Sequence, residues 1–260
     1  MGLFLWTKTA IMGKYLHHLN RPQQPTPTMD ELTVEQKREL LPYLRTFITE
    51  ERDARILEVL QNRTRHLTIV LEDLYQTQNI SAVMRTCECY GVQDVHIIEK
   101  ENEFIIHDAI SMGANKWLTL HNYKNEPGNV ARCADYLHAK GYKLIATLPA
   151  ENSVFVDDLP VDEKTAFFFG TELTGLSEEA VAVCDGAVKI PMYGFTESFN
   201  ISNSVAILTS NRIERLHRSG TDWRLTPDEH DELYFEWLCK SIRNIDLILR
   251  RKLEEDFAQK

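Results

Sequence analysis

The chain has 260 residues, 43% hydrophobic and 26% charged, enough for one substantial core with small flanking helical elements. Its formal charge of -10 does not advertise nucleic-acid binding, so any RNA contact must gather basic residues locally, and neither DNA nor a membrane is an expected partner. No run approaches the roughly 20 apolar residues that span a bilayer, and five cysteines (Cys87, Cys89, Cys133, Cys184, Cys239) without repeated CxxC spacing speak against a disulfide framework and a metal site.

The first residues, MGLFLWTKTAIMGKYLHH, lack the basic start and small-residue cleavage site of a secretory signal. Trp6 stands where myristoylation needs Ser or Thr. With the cysteine usage, this places the chain in a reducing cytoplasm. Residues 1–28 read as an extension ending in the Pro-rich linker Arg21–Thr28, and Met29 behind it offers an alternative start. Thr33 and Gln36 have capping-box spacing, which predicts a helix through Leu40, broken or kinked at Pro42. A second helix is expected over Glu50–Arg63. Arg52, Arg55, Arg63, Arg65 and His66 make its surroundings positive. Two readings stay open for that charge: a solvated helix face, or a contact surface for RNA phosphates.

From Leu67 strands and helices alternate. Strands are expected at Leu67–Asp73, Val95–Glu99, Lys143–Leu148, Thr165–Gly170 and Ala187–Ile190. Helices are expected at Asn79–Tyr90, Val130–Lys140, Ser177–Cys184 and from Asn200 to Arg215. Such alternation predicts an α/β fold, a parallel sheet with helices on both faces. After Thr226 one long amphipathic helix is expected, with Leu233, Trp237, Ile242, Ile245 and Leu249 as packing residues and a basic end at Arg250–Lys252. It would pack on the domain, pair with a second subunit, or meet RNA.

Three pieces carry chemistry. Asn79 and Arg85 lie six residues apart on one helix, about 600° of rotation, so they do not share a face. A guanidinium at Arg85 needs a partner, either a carboxylate or an anionic ligand such as phosphate. Gly170–Ser177 joins an apolar strand to an N-cap, and its two glycines let backbone approach a ligand. It is no P-loop, because no Lys follows Gly175 and Glu178 and Glu179 open the helix. IPMYGFTESFNISNSVAIL (Ile190–Leu208) sets a dense row of polar side chains between a strand and a helix. The fingerprints GxGxxG, HExxH, GxSxG and DxDxG are absent.

NISAVMRTCECYGV, FFFGTELTGLSEEAV and VKIPMYGFTESFNISNSVAIL resemble, in order and spacing, motifs 1, 2 and 3 of the SPOUT-class RNA 2′-O-methyltransferases, in particular the TrmH family of tRNA (guanosine-2′-O)-methyltransferases. ERDARILEVLQNRTRHLTIVLEDLYQTQN resembles the helix and first strand that open TrmH proteins. The resemblance covers roughly Arg52–Leu216. It implies a parallel α/β sheet closed by a C-terminal trefoil knot, a homodimer with sites near the subunit interface, and S-adenosyl-L-methionine as cofactor. It implies a division into an extension (1–28), an N-terminal helical region (29–66), a methyltransferase domain (67–218) and a C-terminal helical extension (219–260). Arg85, Asn79, Glu172, Ser198 and Asn200 fall on the family's catalytic positions. Thr147, Leu148, Gly170, Gly175, Ile190, Met192 and Phe199 fall on its cofactor loops. Family members commonly read Ser-Leu-Asn-Val-Ser in motif 3, where this chain has Phe199 for Leu, and Asn203 replaces a usual apolar residue.

The implied substrate is tRNA, at guanosine 18 of the D-loop, with Arg52, Arg55, Arg63 and Arg65 as RNA contacts. Alternatives are 2′-O-methylation of ribosomal RNA or another tRNA position, and a non-catalytic RNA-binding or assembly protein on the same fold. No metal is required.

Overall fold

Seven strands form one parallel sheet among the described residues: β1 (Leu67–Glu72), β2 (Asp94–Ile98), β3 (Thr119–Tyr123), β4 (Lys143–Thr147), β5 (Val154–Phe155), β6 (Thr165–Phe169) and β7 (Gly186–Lys189). Their order is β3-β2-β1-β6-β4-β7-β5. The computed structural model describes residues 31–102, 104 and 113–258, and the expected extension over 1–28 lies outside them. Every residue of β1, β2 and β6 is buried. Strands covered on both faces read as continuous apolar runs, which is why LTIVLE and TAFFF show no alternation.

The helices are α1 (Val34–Arg45), α2 (Glu50–Leu60), α3 (Thr77–Cys89), α4 (Asn129–Ala139), α5 (Glu178–Ala182), α6 (Ile201–Arg218), α7 (Pro227–Ser241) and α8 (Ile245–Ala258). Successive strand side chains point to opposite faces and feed two cores. Ile69, Leu71, Phe167 and Phe169 pack with Ile80, Val83 and Met84 of α3 and Val205 and Leu208 of α6. Val70, Ala166 and Phe168 pack with Val130, Cys133 and Leu137 of α4. A third core joins the first and last described helices: Leu40, Leu41 and Leu44 of α1 and Ile56 and Leu60 of α2 meet Leu233, Tyr234, Trp237 and Leu238 of α7 and Leu249 of α8. Of the three roles open to the C-terminal segment, packing within the chain is the one observed.

Several expectations are corrected. Pro42 neither ends α1 nor shortens it, and the helix runs on to Arg45. Proline withholds one N–H, but buried Leu40, Leu41 and Leu44 hold the helix against its neighbours. The single C-terminal helix is two. Ile242 is extended and Asn244 takes φ 58, a left-handed conformation that a short polar side chain tolerates, so the chain turns without Gly or Pro. Strands β3 and β5 were not foreseen. TLHNY is only partly buried at a sheet edge, and β5 is two residues long.

Candidate active site

The three pieces lie far apart in sequence but meet at the carboxyl-terminal end of the parallel strands. β1 leads into α3, β6 into the Gly170–Ser177 loop, and β7 into the loop before α6. The carboxylate of Glu172 ties them together. Its Oε1 accepts from Asn79 Nδ2 at 3.0 Å, from Asn200 Nδ2 at 2.5 Å and from the backbone N–H of Ile201 at 3.4 Å. Asn200 Nδ2 also reaches Asn79 Oδ1 at 3.1 Å. The other end of the Asn200 amide caps α6, its Oδ1 accepting from the Ser202 N–H at 2.9 Å. One side chain thus starts the helix and bridges two distant segments. Asn79 lies in the first turn of α3 and is held by Gln76 Oε1 at 2.7 Å.

Beside this knot of hydrogen bonds lies a cleft of about 230 Å³. Thr147, Leu148, Gly170, Gly175, Ile190, Met192 and Phe199 all line it, as do Glu172 and Ser198. Gly170 and Gly175 shape its narrow wall. Thr171 and Gly175 exchange N–H···O bonds of 3.1 and 3.0 Å, and Gly175 sits at φ +69. A Cβ on Gly170 would stand 2.1 Å from the Gly175 carbonyl, so no larger residue fits there. Apolar Leu148, Leu176, Ile190 and Leu208 and polar Glu197, Ser198 and Ser204 complete a wall suited to a ligand with both characters. Asn203 is exposed on α6, which explains why a polar residue is tolerated there.

Two features of the site had no sequence signal. Buried Glu72, at the end of β1, accepts from the Ser177 N–H at 2.8 Å, from Ser177 Oγ at 2.6 Å and from Lys100 Nζ at 2.8 Å, which anchors the exit of the Gly170–Ser177 loop. Asp73, at φ 56, collects the N–H groups of Lys100, Glu101 and Asn102 on its Oδ1 at 2.8–3.1 Å. A carboxylate inside a strand reads only as an interruption of an apolar run until its partners are known.

Arg85 is not brought into the cleft. It is exposed on α3 and makes no hydrogen bond or ion pair among the described residues. The four arginines expected at RNA divide. Arg52 and Arg55 are exposed. Arg63 is 1% exposed and bound to Glu88 at 3.2 Å, and burial pushes its guanidinium below its ordinary value. Arg65 pairs with Asp94 at 2.9 Å and Glu229 at 3.8 Å. These two serve the protein's own carboxylates, and as phosphate contacts they are set aside. His66 is buried as well, and burial lowers its pKa, so it adds no charge. Among the described residues no group of His, Cys, Asp and Glu suits a metal ion, and no helix is long and apolar enough to cross a membrane.

Comparison with known proteins places the chain in a family. Residues 66–210 match the model of the SpoU rRNA Methylase family. The chain is 42% identical over 205 residues to a tRNA (guanosine(18)-2′-O)-methyltransferase of Borreliella burgdorferi, covering 79% of this chain and 92% of that protein. It is 34% identical over 194 residues to the protein of the same name from Thermus thermophilus, covering 74% and 98%. Among solved structures, the A. aeolicus TrmH/SpoU tRNA modifying enzyme superposes with a TM-score of 0.67 at 25% identity, over 75% of this chain and 98% of that one. By the matched family model, these identities and the shared fold, the chain belongs to the SpoU methylase family.

Proposed function

We propose that the protein transfers a methyl group from S-adenosylmethionine to the ribose 2′-hydroxyl of guanosine 18 in the tRNA D-loop. The observation that carries this reading is the convergence of Asn79, Glu172 and Asn200 at one cleft, in a chain whose relatives bear that activity in their names. The cleft residues fit the cofactor. Thr147, Leu148, Gly170, Gly175, Ile190, Met192 and Phe199 would hold it, with apolar walls for its ring and backbone at the glycine turn for its polar groups. When bound, S-adenosylmethionine supplies an already activated methyl group, so the protein's task is alignment and proton removal.

Among the described residues Arg85 is unpaired, and it is exposed, as a residue waiting for a phosphate would be. A guanidinium keeps its proton in proteins, so it does not act as a base. It clamps the phosphate beside the target ribose and steadies the developing alkoxide, while the hydroxyl proton leaves to that phosphate or to water. Asn79, Ser198 and Asn200 orient the ribose and the cofactor, and Glu172 positions the motif 2 loop. Because Arg85 lies outside its own chain's cleft, a second copy would deliver it, which makes the working unit a homodimer. Exposed Leu173, Tyr193 and Phe195, at 85%, 95% and 108%, sit in the loops that line or flank the cleft and favour such pairing. A trefoil knot is consistent with β7 inserted between β4 and β5, an exception to the usual rule against threading. A tRNA substrate places the enzyme in the cytoplasm.

The test is methyl transfer from labelled S-adenosylmethionine to an unmodified tRNA transcript, with the modified nucleotide mapped. Wild type is expected to label the D-loop guanosine. Arg85→Ala and Arg85→Lys are expected to lose activity at unchanged thermal stability, because lysine lacks the planar, bidentate fork. Labelling at another nucleotide would overturn the substrate, and near-wild-type turnover by Arg85→Lys would overturn the clamp.

A further inference from the structure

A second, smaller cleft of about 160 Å³ opens between α2, the C-terminal end of α3 and α7, with Arg52, Arg55, Glu88, Trp117 and Trp237 on its walls. Its aromatic and cationic groups are stacked in sequence. The exposed guanidinium of Arg52 lies over the half-buried ring of Trp117, 5.0 Å from its centroid. Trp117 meets Trp237 edge to face at 5.4 Å and 74°. Arg63 lies over Trp237, 5.0 Å from the centroid of that ring. Trp237 is 2% exposed, yet its indole N–H finds no acceptor among the described residues, and neither does Arg63 Nε. A buried donor without a partner carries a penalty that an arriving acceptor relieves.

We propose that this cleft seats one unstacked nucleotide of the RNA, its base stacked on Arg52 and its phosphate paired with Arg55. The proposal rests on the reading of the protein as an RNA methyltransferase. The Arg52 guanidinium lies over the Trp117 ring yet is exposed, and single-stranded bases stack on Arg guanidinium planes. Arg52 has no ion pair among the described residues. The 2.7 Å pair of Arg55 with Glu58 is exposed on both sides, so a phosphate can displace it. Glu88, the other carboxylate at the cleft, is already committed to Arg63. On a chain of net charge -10 this corner gathers cationic donors locally. Its position also fits. Glu88 follows Arg85 by three residues on α3, about 4.5 Å along the axis and on the same face. RNA clamped by Arg85 therefore arrives beside the cleft, which would take a nucleotide next to the reacting one.

The experiment is equilibrium binding of an unmodified tRNA transcript over a salt series, with S-adenosylmethionine affinity and thermal stability as controls. The variants are Arg52→Lys, Arg52→Gln and Arg55→Gln, all at exposed positions. Arg52→Lys keeps the charge and loses the plane, so it is expected to weaken binding about tenfold, as Arg52→Gln does. Its salt slope stays that of wild type. Arg55→Gln is expected to lower the slope by about 0.7–0.9, the mark of one lost phosphate contact. The quench of tryptophan fluorescence on adding tRNA should shrink in Trp117→Phe. Wild-type affinity in Arg52→Lys would overturn the stacking platform, and an unchanged slope in Arg55→Gln would overturn the phosphate contact. Wild type that binds the transcript but transfers no methyl would sink the methyltransferase reading, while the affinity ratios among the variants would still decide the cleft.

Discussion

Asn200 does two jobs with one amide, and substitution can separate them. Its Oδ1 caps α6 and its Nδ2 donates to Glu172 at 2.5 Å and to Asn79 at 3.1 Å. Replacing an Asn cap with Ala costs about 1 kcal/mol, whereas Ser caps about as well. Asn200→Ser should therefore keep nearly full stability and lose only the bridge. Asn200→Ala should lose about 1 kcal/mol from the cap, plus up to about 1 kcal/mol for the solvent-exposed charge-assisted bond. At roughly 2–4 °C per kcal/mol this is a drop of about 2–8 °C in Tm. Asn200→Asp keeps the cap but sets a second carboxylate against Glu172. Relaxed to about 4 Å, the repulsion is about 1 kcal/mol in bulk water and about 4 kcal/mol at an effective dielectric constant of 20. Methyl transfer should fall about tenfold in Asn200→Ser, the worth of one charge-assisted hydrogen bond. It should fall further in Asn200→Asp, with partial recovery as the pH is lowered and one of the paired carboxylates protonates. The assays are kcat/KM on tRNA at pH 6 and 8 alongside thermal melts. Wild-type kcat/KM in Asn200→Asp at pH 8 would refute the idea that the amide bridge organises the site.

Two further predictions concern the scaffold. Gly170→Ala would drive a Cβ to 2.1 Å from the Gly175 carbonyl, so it is expected to lose about 1–3 kcal/mol of stability and most of its S-adenosylmethionine affinity. Gly194→Ala meets nothing closer than 4.0 Å and should bind normally, so calorimetry that fails to separate the two would contradict the cradle. The second concerns pH. Burial holds the His96 imidazole down at about 3, with His121 stacked on it at 4.3 Å adding to the effect. In the unfolded chain it titrates near 6.5, so above that pH it contributes nothing. As pH falls from 6.5 the unfolded chain takes up a proton that the folded one refuses, and stability drops by about 2 kcal/mol at pH 5. His66, also lowered by burial, acts with the same sign. Melts from pH 7 to 5 should show a smaller decline in His96→Gln, and an equal decline would assign the acid sensitivity elsewhere.

The order of elements was legible in the sequence because burial on both faces writes itself as uninterrupted apolar runs, as in LTIVLE and TAFFF, and because caps such as Thr33, Ser177 and Thr226 act within one helical turn. The wall of the cleft was legible too, through the second and third motifs, whose residues line it together with Thr147 and Leu148. Interactions between distant segments were not. Arg63 and Arg65 carry the same charge as Arg52 and Arg55 in sequence, and only the packing of α7 and the position of Asp94 bury Arg63 and pair Arg65 while Arg52 and Arg55 stay exposed. Glu72 gained its role from Ser177, 105 residues away. The break at Asn244 had no Gly or Pro to announce it. Sequence alone therefore determined the local periodicities, the caps and the chemical inventory of the site, since these depend on neighbours along the chain. Tertiary structure decided which charges remain available, that α1 and α2 meet α7 and α8, and that Asn79, Glu172 and Asn200 share one hydrogen-bonded junction. Those outcomes depend on desolvation and partner geometry, which exist only after the segments are brought together.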